Sequence, residues 1–254
     1  MSRSVGVVIP AFEPDPSLLV EYLQDLERVL EPAVLRVELD APDPETVRAL
    51  EASPATVNAV DRRRGKGAAL TDGFEALDTD ILAFADADGS TPAQSIEDVV
   101  DAVQAGRADL AVGSRRHPAA EVISHQTVFR QHLGDVFAWL ARRFLDVSLS
   151  DYQCGAKALT RETWTAIREH LYEAGFAWDV EVVAMADALE FTIEEVPVTW
   201  QDHPDSTVET GQAVPELLRA LFAARRRSRR LRCGAETSMS PHCTDPDPLV
   251  HRQR

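Results

Sequence analysis

Short β-branched runs alternate with helix-period segments from Val5 to Gly113, and that alternation leaves few folds open. The runs Val5–Pro10, Val34–Leu39, Thr56–Val60, Asp80–Phe84 and Asp109–Gly113 read as strands. Between them Ser17–Leu30, Pro44–Ala52, Ala68–Leu77 and Ala93–Ala105 read as helices, the first with Ser17 as its cap. Such a series predicts an α/β fold with a mostly parallel sheet and helices on both faces. Ligands of these sheets gather at the C-terminal strand ends. One rim then carries Glu13, Asp40, the loop Arg62–Gly67, Asp86, Asp88 and the stretch Ser114–Arg116.

Beyond this repeat the spacing predicts an amphipathic helix over 124–145 and a polar turn, "SDYQCGAKALT". Helices at Arg161–Tyr172 and Asp179–Leu189, one strand over Phe191–Trp200 and a basic helix at Val214–Arg232 complete the ordered part. A catalytic unit over 1–212, a basic amphipathic helix over 213–232 and a disordered tail over 233–254 are expected.

Charge narrows the partners. Forty-two acidic residues against 26 Lys and Arg leave a net charge of -16, which excludes nucleic acid as a partner held by bulk electrostatics. Lys66 and Lys157 are the only lysines, a balance expected of a halophilic cytoplasm, where the Debye length is about 3 Å at 1 M salt. Both lysines therefore stand out. Cys154, Cys233 and Cys243 follow no zinc spacing, so a reduced, intracellular protein is expected. No signal peptide is read at the start, and no apolar run reaches the roughly 18 residues of a membrane span.

Several groups could carry chemistry. In "FADADGSTP", Asp86 and Asp88 would share one face of a strand end and could hold Mg²⁺ or Mn²⁺, or else cap the following helix. "RRRGKG" has glycines that admit a close phosphate and a lysine to meet it, but lacks Walker spacing and also reads as a plain turn. Arg115, Arg116 and Arg130 suit phosphate oxygens or surface ion pairs. In "FAWDVEVV", Asp179 or Glu181 could be a general base or lie at an exposed helix start.

Taken in order, "VVIPAFEP", "GKGAAL", "FADADGSTP", "VGSRR", "DYQCGAKALTRE", "FAWDVEV" and "IEEVPVTW" resemble the family-2 glycosyltransferases, and among them the dolichyl-phosphate sugar synthases of glucosyl and mannosyl type. The resemblance spans residues 5–210 and implies a GT-A-type nucleotide-sugar-binding fold. It implies that Asp86 and Asp88 form the DxD motif with its divalent cation, Mg²⁺ or Mn²⁺. Pro10, Ala11 and Glu13 match the loop that holds the nucleotide, Asp40 an acid near the base, and Lys66 the lysine of the GKG loop. Arg115 and Arg130 match arginines facing the acceptor phosphate, Asp179 an acid on the acceptor side, and Gln153 a residue of the D-x-Q-C-G-x-K turn. The chain departs from the family at "LDAPDPET", which lacks two adjacent acids, and at Gly89 and Ser90, which lean toward the glucosyl type. At "HPDSTV" the usual basic residue is missing, so that contact is either absent or taken by His203.

The resemblance implies inverting transfer of a hexose from a UDP-glucose or GDP-mannose type donor to dolichyl or polyprenyl phosphate, for protein glycosylation or surface glycans. That activity implies a peripheral place on the cytoplasmic face of a membrane. The basic helix could lie in the interface through Leu217, Leu218, Leu221 and Phe222, with six arginines from Arg225 to Arg232 at the headgroups. A soluble transferase acting on a saccharide or small-metabolite hydroxyl, and an inactive assembly partner, are the alternatives.

Overall fold

The computed structural model describes residues 3–123, 140–201, 210–233 and 246–252, and of residues 210–217 the backbone alone. Arg130, His203, Cys243, the Leu217 side chain and residues 124–139 of the expected long helix lie outside that description.

The alternation is realised as expected. Strand β1 (Val5–Phe12) leads to helix α1 (Pro16–Leu30), β2 (Val34–Asp40) to α2 (Pro44–Leu50), and β3 (Thr56–Val60) to α3 (Lys66–Ala76). Then β4 (Ile81–Ala85) precedes α4 (Ala93–Gln104) and β5 (Leu110–Ser114). The cap of α1 is Asp15 rather than Ser17: its Oδ1 accepts from the Ser17 and Leu18 amides at 2.8 and 3.0 Å, and Pro16 opens the helix.

Residues 150–160 depart from the sequence reading. What reads as a polar turn contains strand β7 (Ala156–Thr160), which follows the short β6 (Glu121–Val122). β7 runs antiparallel between β4 and β5 in the middle of the sheet, pairing Ala158 with Ala83 on one side and Ala111 on the other. The expected strand Phe191–Trp200 is two strands. β8 (Ile193–Pro197) lies parallel to β5, while β9 (Thr199–Trp200) pairs with β6 in a separate two-stranded sheet. The main sheet has the order β3-β2-β1-β4-β7-β5-β8.

Side-chain alternation along these strands builds a core on each face. On one face Val7, Ile9, Ala83, Ala111 and Ala158 meet Leu23 and Leu26 of α1 and Ile96 and Val99 of α4. On the other, Val8, Leu82, Phe84, Val112 and Leu159 meet Phe74 of α3, Trp164 of α5 (Arg161–Ile167), and Trp178 and Val183 of α6 (Trp178–Ala188). A large apolar side chain fully buried in this way contributes about 1.5–3 kcal/mol.

Helix α7 (Thr210–Arg232) packs on α6, and this corrects the expectation of an interfacial helix in part. Ala220, Leu221 and Ala224 are buried against the protein, so Leu221 is not available to lipid. Arg227 is buried beside Glu181, and Arg232 pairs with Asp146 and Asp187. Phe222 stays half exposed, its ring edge-to-face with Phe144 at 4.8 Å. Part of the tail is also docked: Leu249 is buried in the short 3-10 turn Leu249–His251, and its amide bonds Leu171 O at 2.8 Å.

Candidate active site

The C-terminal ends of β1, β2, β4 and β5 share a rim with the N-terminal end of the antiparallel β7. The acidic pair sits just past β4, in a turn rather than on the strand itself. Its two carboxylates are therefore not set by strand alternation. The Asp86 amide donates to Gly155 O at 3.0 Å, and an added Cβ at Gly155 would overlap the Asp86 carboxylate. Asp88 turns back on its own loop, its Oδ1 accepting from the Ser90 amide at 3.0 Å, and Gly89 takes the left-handed conformation there (φ 66°). Burial and the neighbouring Asp86 charge raise the Asp88 pKa.

Both lysines of the chain come to this rim. Lys66 Nζ lies 2.8 Å from Asp86 Oδ1 and 3.1 Å from Asp179 Oδ2, while Lys157 Nζ lies 2.7 Å from Asp179 Oδ1 and donates to Cys154 O at 2.9 Å. The result is a row of alternating charge, Asp86, Lys66, Asp179 and Lys157. The two ammonium groups also sit over the Phe84 ring, at 5.1 and 5.6 Å from its centroid. Burial opposes the charge on Lys66, yet Asp179 and Asp86 outweigh it and raise its pKa. Lys157 and Asp179 are 1% exposed, and Asp86 is the member open to solvent, its side chain 41% exposed. With each carboxylate oxygen of Asp179 facing a lysine, that acid is placed as a charge partner and orienting group.

The GKG loop is held by a second buried set. Asp40 accepts from the Arg64 amide and Nε, both at 2.7 Å, and from the Gly65 amide at 3.0 Å. The fully buried Glu38 accepts from Arg36, Asn58 and Arg64 at 2.6–2.8 Å. Asp40, expected beside the base, is thus committed to the loop's backbone. Pro10 and Ala11 are likewise not in a loop: they pair with Glu38 and Leu39 inside the sheet, and of that set only Glu13, exposed with φ 47°, lies in the turn.

On the β5 side, Arg115 forks onto Asp151, with Nε–Oδ2 at 2.7 Å and Nη2–Oδ1 at 3.0 Å. Burial alone would raise the Asp151 pKa, but the guanidinium holds it well below the usual carboxylate range. The fork expected to meet an acceptor phosphate is therefore occupied from within the protein. The Gln153 backbone N–H donates to Asp151 Oδ1 at 3.1 Å, so this residue closes the same turn through its main chain. Burial pushes the neighbouring Cys154 thiol up to about 12, which keeps it inert.

Asp86 and Asp88 are hard oxygen donors, one exposed and one partly buried. No cluster of three or more metal-ligating side chains occurs among the described residues. Two carboxylates at an open-ended turn suit a Mg²⁺ or Mn²⁺ ion that takes its other positions from water and a diphosphate, as such ions commonly do. Glu38 is the site residue that sequence reasoning passes over, while Lys157 stands out in the sequence without being given a role. The scarcity of lysine is the signal that marks Lys157, and its partner Asp179 is what the sequence does not show.

Known proteins fall in line with this geometry. Glycosyltransferase AglD of Haloferax volcanii is 34% identical over 149 residues, covering 59% of this chain and 24% of that protein. The dolichyl-phosphate beta-glucosyltransferase of Saccharomyces cerevisiae is 32% identical over 152 residues, covering 56% and 46%. The chain thus spans from about a quarter to about half the length of these two relatives. The undecaprenyl-phosphate mannosyltransferase of Micrococcus luteus is 29% identical over 243 residues, covering 91% of this chain and 99% of that protein. Among solved structures, glucosyl-3-phosphoglycerate synthase from Mycobacterium tuberculosis with Mn²⁺, UDP-glucose and phosphoglyceric acid superposes with a TM-score of 0.70 at 18% identity, covering 88% of this chain and 80% of that one. The same enzyme with Mg²⁺ and UDP gives a TM-score of 0.67 at 18% identity, with coverage of 88% and 80%. These confirm the GT-A-type fold. The model of glycosyl transferase family 2 matches residues 7–162, which take in most of β1, both glycines of the GKG loop, the acidic pair and Lys157, and the chain belongs to that family.

Proposed function

We propose that this protein is an inverting, divalent-metal-dependent hexosyltransferase that moves a sugar from a UDP- or GDP-sugar to dolichyl or polyprenyl phosphate. The carrying observation is the charge row at the rim: an exposed Asp86 beside Asp88, backed by Lys66 and the buried Asp179–Lys157 pair. The names of the dolichyl-phosphate and undecaprenyl-phosphate relatives support the acceptor, and the Mn²⁺ and Mg²⁺ complexes of the M. tuberculosis enzyme support metal use in this fold.

Asp86 and Asp88 would hold the cation, which when bound offsets charge developing on the departing diphosphate. Lys66 has hydrogen-bonding capacity beyond its two carboxylates and would direct it to a phosphate oxygen. Asp179, fixed by both lysines, orients Lys66 and need not remove a proton, because a phosphate acceptor is already ionised near neutral pH. Arg115 is neutralised by its fork onto Asp151 and shapes the β5 side of the rim, so the charge offered to the acceptor phosphate falls to Arg130 in this reading. Attack from the face opposite the diphosphate inverts the anomeric carbon.

No helix among the described residues is long and apolar enough to cross a membrane. A lipid acceptor therefore calls for peripheral binding on the cytoplasmic face, with the exposed Phe222 and the exposed Arg226 and Arg229 of α7 in contact. The test incubates the protein in molar salt with Mg²⁺ or Mn²⁺, labelled UDP- and GDP-sugars and polyprenyl phosphate in liposomes. Label should enter the organic phase as a β-linked product of an α-linked donor. Label confined to a water-soluble product would replace the lipid acceptor with a hydroxyl one. No binding of any sugar nucleotide would leave an inactive assembly partner.

A further inference from the structure

Glu181 stands two residues after Asp179 on α6 but takes other partners. The segment 171–175 joins the 3-10 turn Arg168–His170 to α6, and its carbonyls meet the Lys66 loop. Ala174 O accepts from the Ala68 amide at 3.1 Å. Glu173 O and Ala174 O also close on Gly67 and Gly65, where an added Cβ would strike them. Amides of the same segment bond Glu181: Tyr172 N–H and Glu173 N–H both donate to its Oε2, at 2.7 and 2.9 Å.

The C-terminal part of the chain grips this segment. Arg227 of α7 donates to Glu181 Oε1, with its guanidinium 4.1 Å from the Tyr172 ring centroid and 3.8 Å from the Glu173 carboxylate. From the tail, Leu249 N–H donates to Leu171 O and Arg252 Nη2 to Tyr172 O, both at 2.8 Å. The single peptide plane joining Tyr172 to Glu173 is thus held at both ends, its oxygen by Arg252 and its N–H by Glu181. Peptide planes are rigid, so fixing this one limits where the next carbonyls, those against the glycines, can lie. The segment 171–175, Glu181, Arg227, Leu249 and Arg252 fall beyond the 7–162 segment that matches the family, and the loop they hold falls inside it.

We propose that Glu181, Arg227 and Arg252 are positioning residues for the Lys66 loop, through which the C-terminal helix and tail set how tightly the rim holds a nucleoside diphosphate. The ligand named here rests on the proposed function; the control of the loop does not. Its physical route is short: Arg227 to Glu181, Glu181 to the segment's amides, the segment's carbonyls to Gly65, Gly67 and Ala68, and so to Lys66.

The test compares the full-length wild type with Arg227→Met, Arg227→Lys and Arg252→Met by amide hydrogen exchange, and titrates each with UDP and GDP in the presence of Mn²⁺. The Ala68 and Ala69 amides should exchange about tenfold faster in both Met variants, with α4 unchanged and Arg227→Lys restoring part of the protection. Nucleoside diphosphate affinity should fall by about the same factor, as a shifted loop loses contacts in the bound state. Unchanged exchange at Ala68 and Ala69, or acceleration spread equally over α4, overturns the proposal. If Arg227→Met does not fold, Arg252→Met decides alone. If the wild type binds neither nucleotide, the functional reading falls while the exchange data still decide the positioning.

Discussion

Lys157 shows what one buried charge requires. It is held by Asp179, Cys154 O and the face of Phe84, with no access to water. Replacing it by Met leaves Asp179 buried with Lys66 as its remaining ammonium partner, and removing one member of a buried pair costs about 3 kcal/mol. Urea unfolding of Lys157→Met should show that loss. Asp88 is the opposite case, since its carboxylate accepts a local turn contact from the Ser90 N–H. Asp88→Asn retains an acceptor oxygen for that bond and removes the charge that a cation requires. Transfer into the organic phase should fall by at least about a hundredfold, with the melting temperature within about 2 °C of wild type. Retained transfer would remove Asp88 from the metal site.

At the scale of elements, β7 decides how the site closes. Because it enters between β4 and β5 in the antiparallel sense, its N-terminal end brings Gly155 to the Asp86 carboxylate and Lys157 to Asp179. Its opposite face is made small by Ala156 and Ala158, next to Ala83, Ala85 and Ala111, and α4 packs against it. Ala158→Leu should overpack that layer and cost about 1–3 kcal/mol, read as a lowered melting temperature without loss of secondary structure. The α6–α7 contact carries a pH signature. Burial pushes the Glu181 carboxyl up to about 7 from 4.5, against the lowering by its amide donors and Arg227. Between those values the folded chain keeps a proton that the unfolded chain has released, so this group's contribution lowers stability as pH rises from about 4.5 to 7 and is level above it. Glu181→Gln should flatten that slope in urea titrations at pH 5, 6, 7 and 8, and an unchanged slope would reject the assignment.

For the whole molecule, the charge of -16 is carried with a surface whose fixed cations, among the described residues, are arginines, because both lysines are buried at the site. Self-repulsion of that size weakens as salt shortens the Debye length to about 3 Å at 1 M. Thermal unfolding should therefore shift upward between 0.1 and 2 M KCl, and a shift downward would count against adaptation to high salt. Shape follows from two cores separated by one sheet, with α1, α2 and α4 on one face and α3, α5, α6 and α7 on the other.

The sequence by itself determined the alternation of β1 to β5 with α1 to α4, the rim on which Asp86, Asp88 and Lys66 meet, and the family, since local periodicity and short motifs are written in neighbouring residues. Tertiary structure alone decided that "GAKALT" is a central strand: a lysine reads as exposed until a distant Asp179 neutralises it. The same holds for Asp40 and Arg115, which look free to meet a ligand and are instead taken by Arg64 with Gly65 and by Asp151. It holds too for Leu221, whose amphipathic helix could face lipid or protein and faces α6. In each case the deciding partner lies tens of residues away, and only the folded chain brings it within bonding distance.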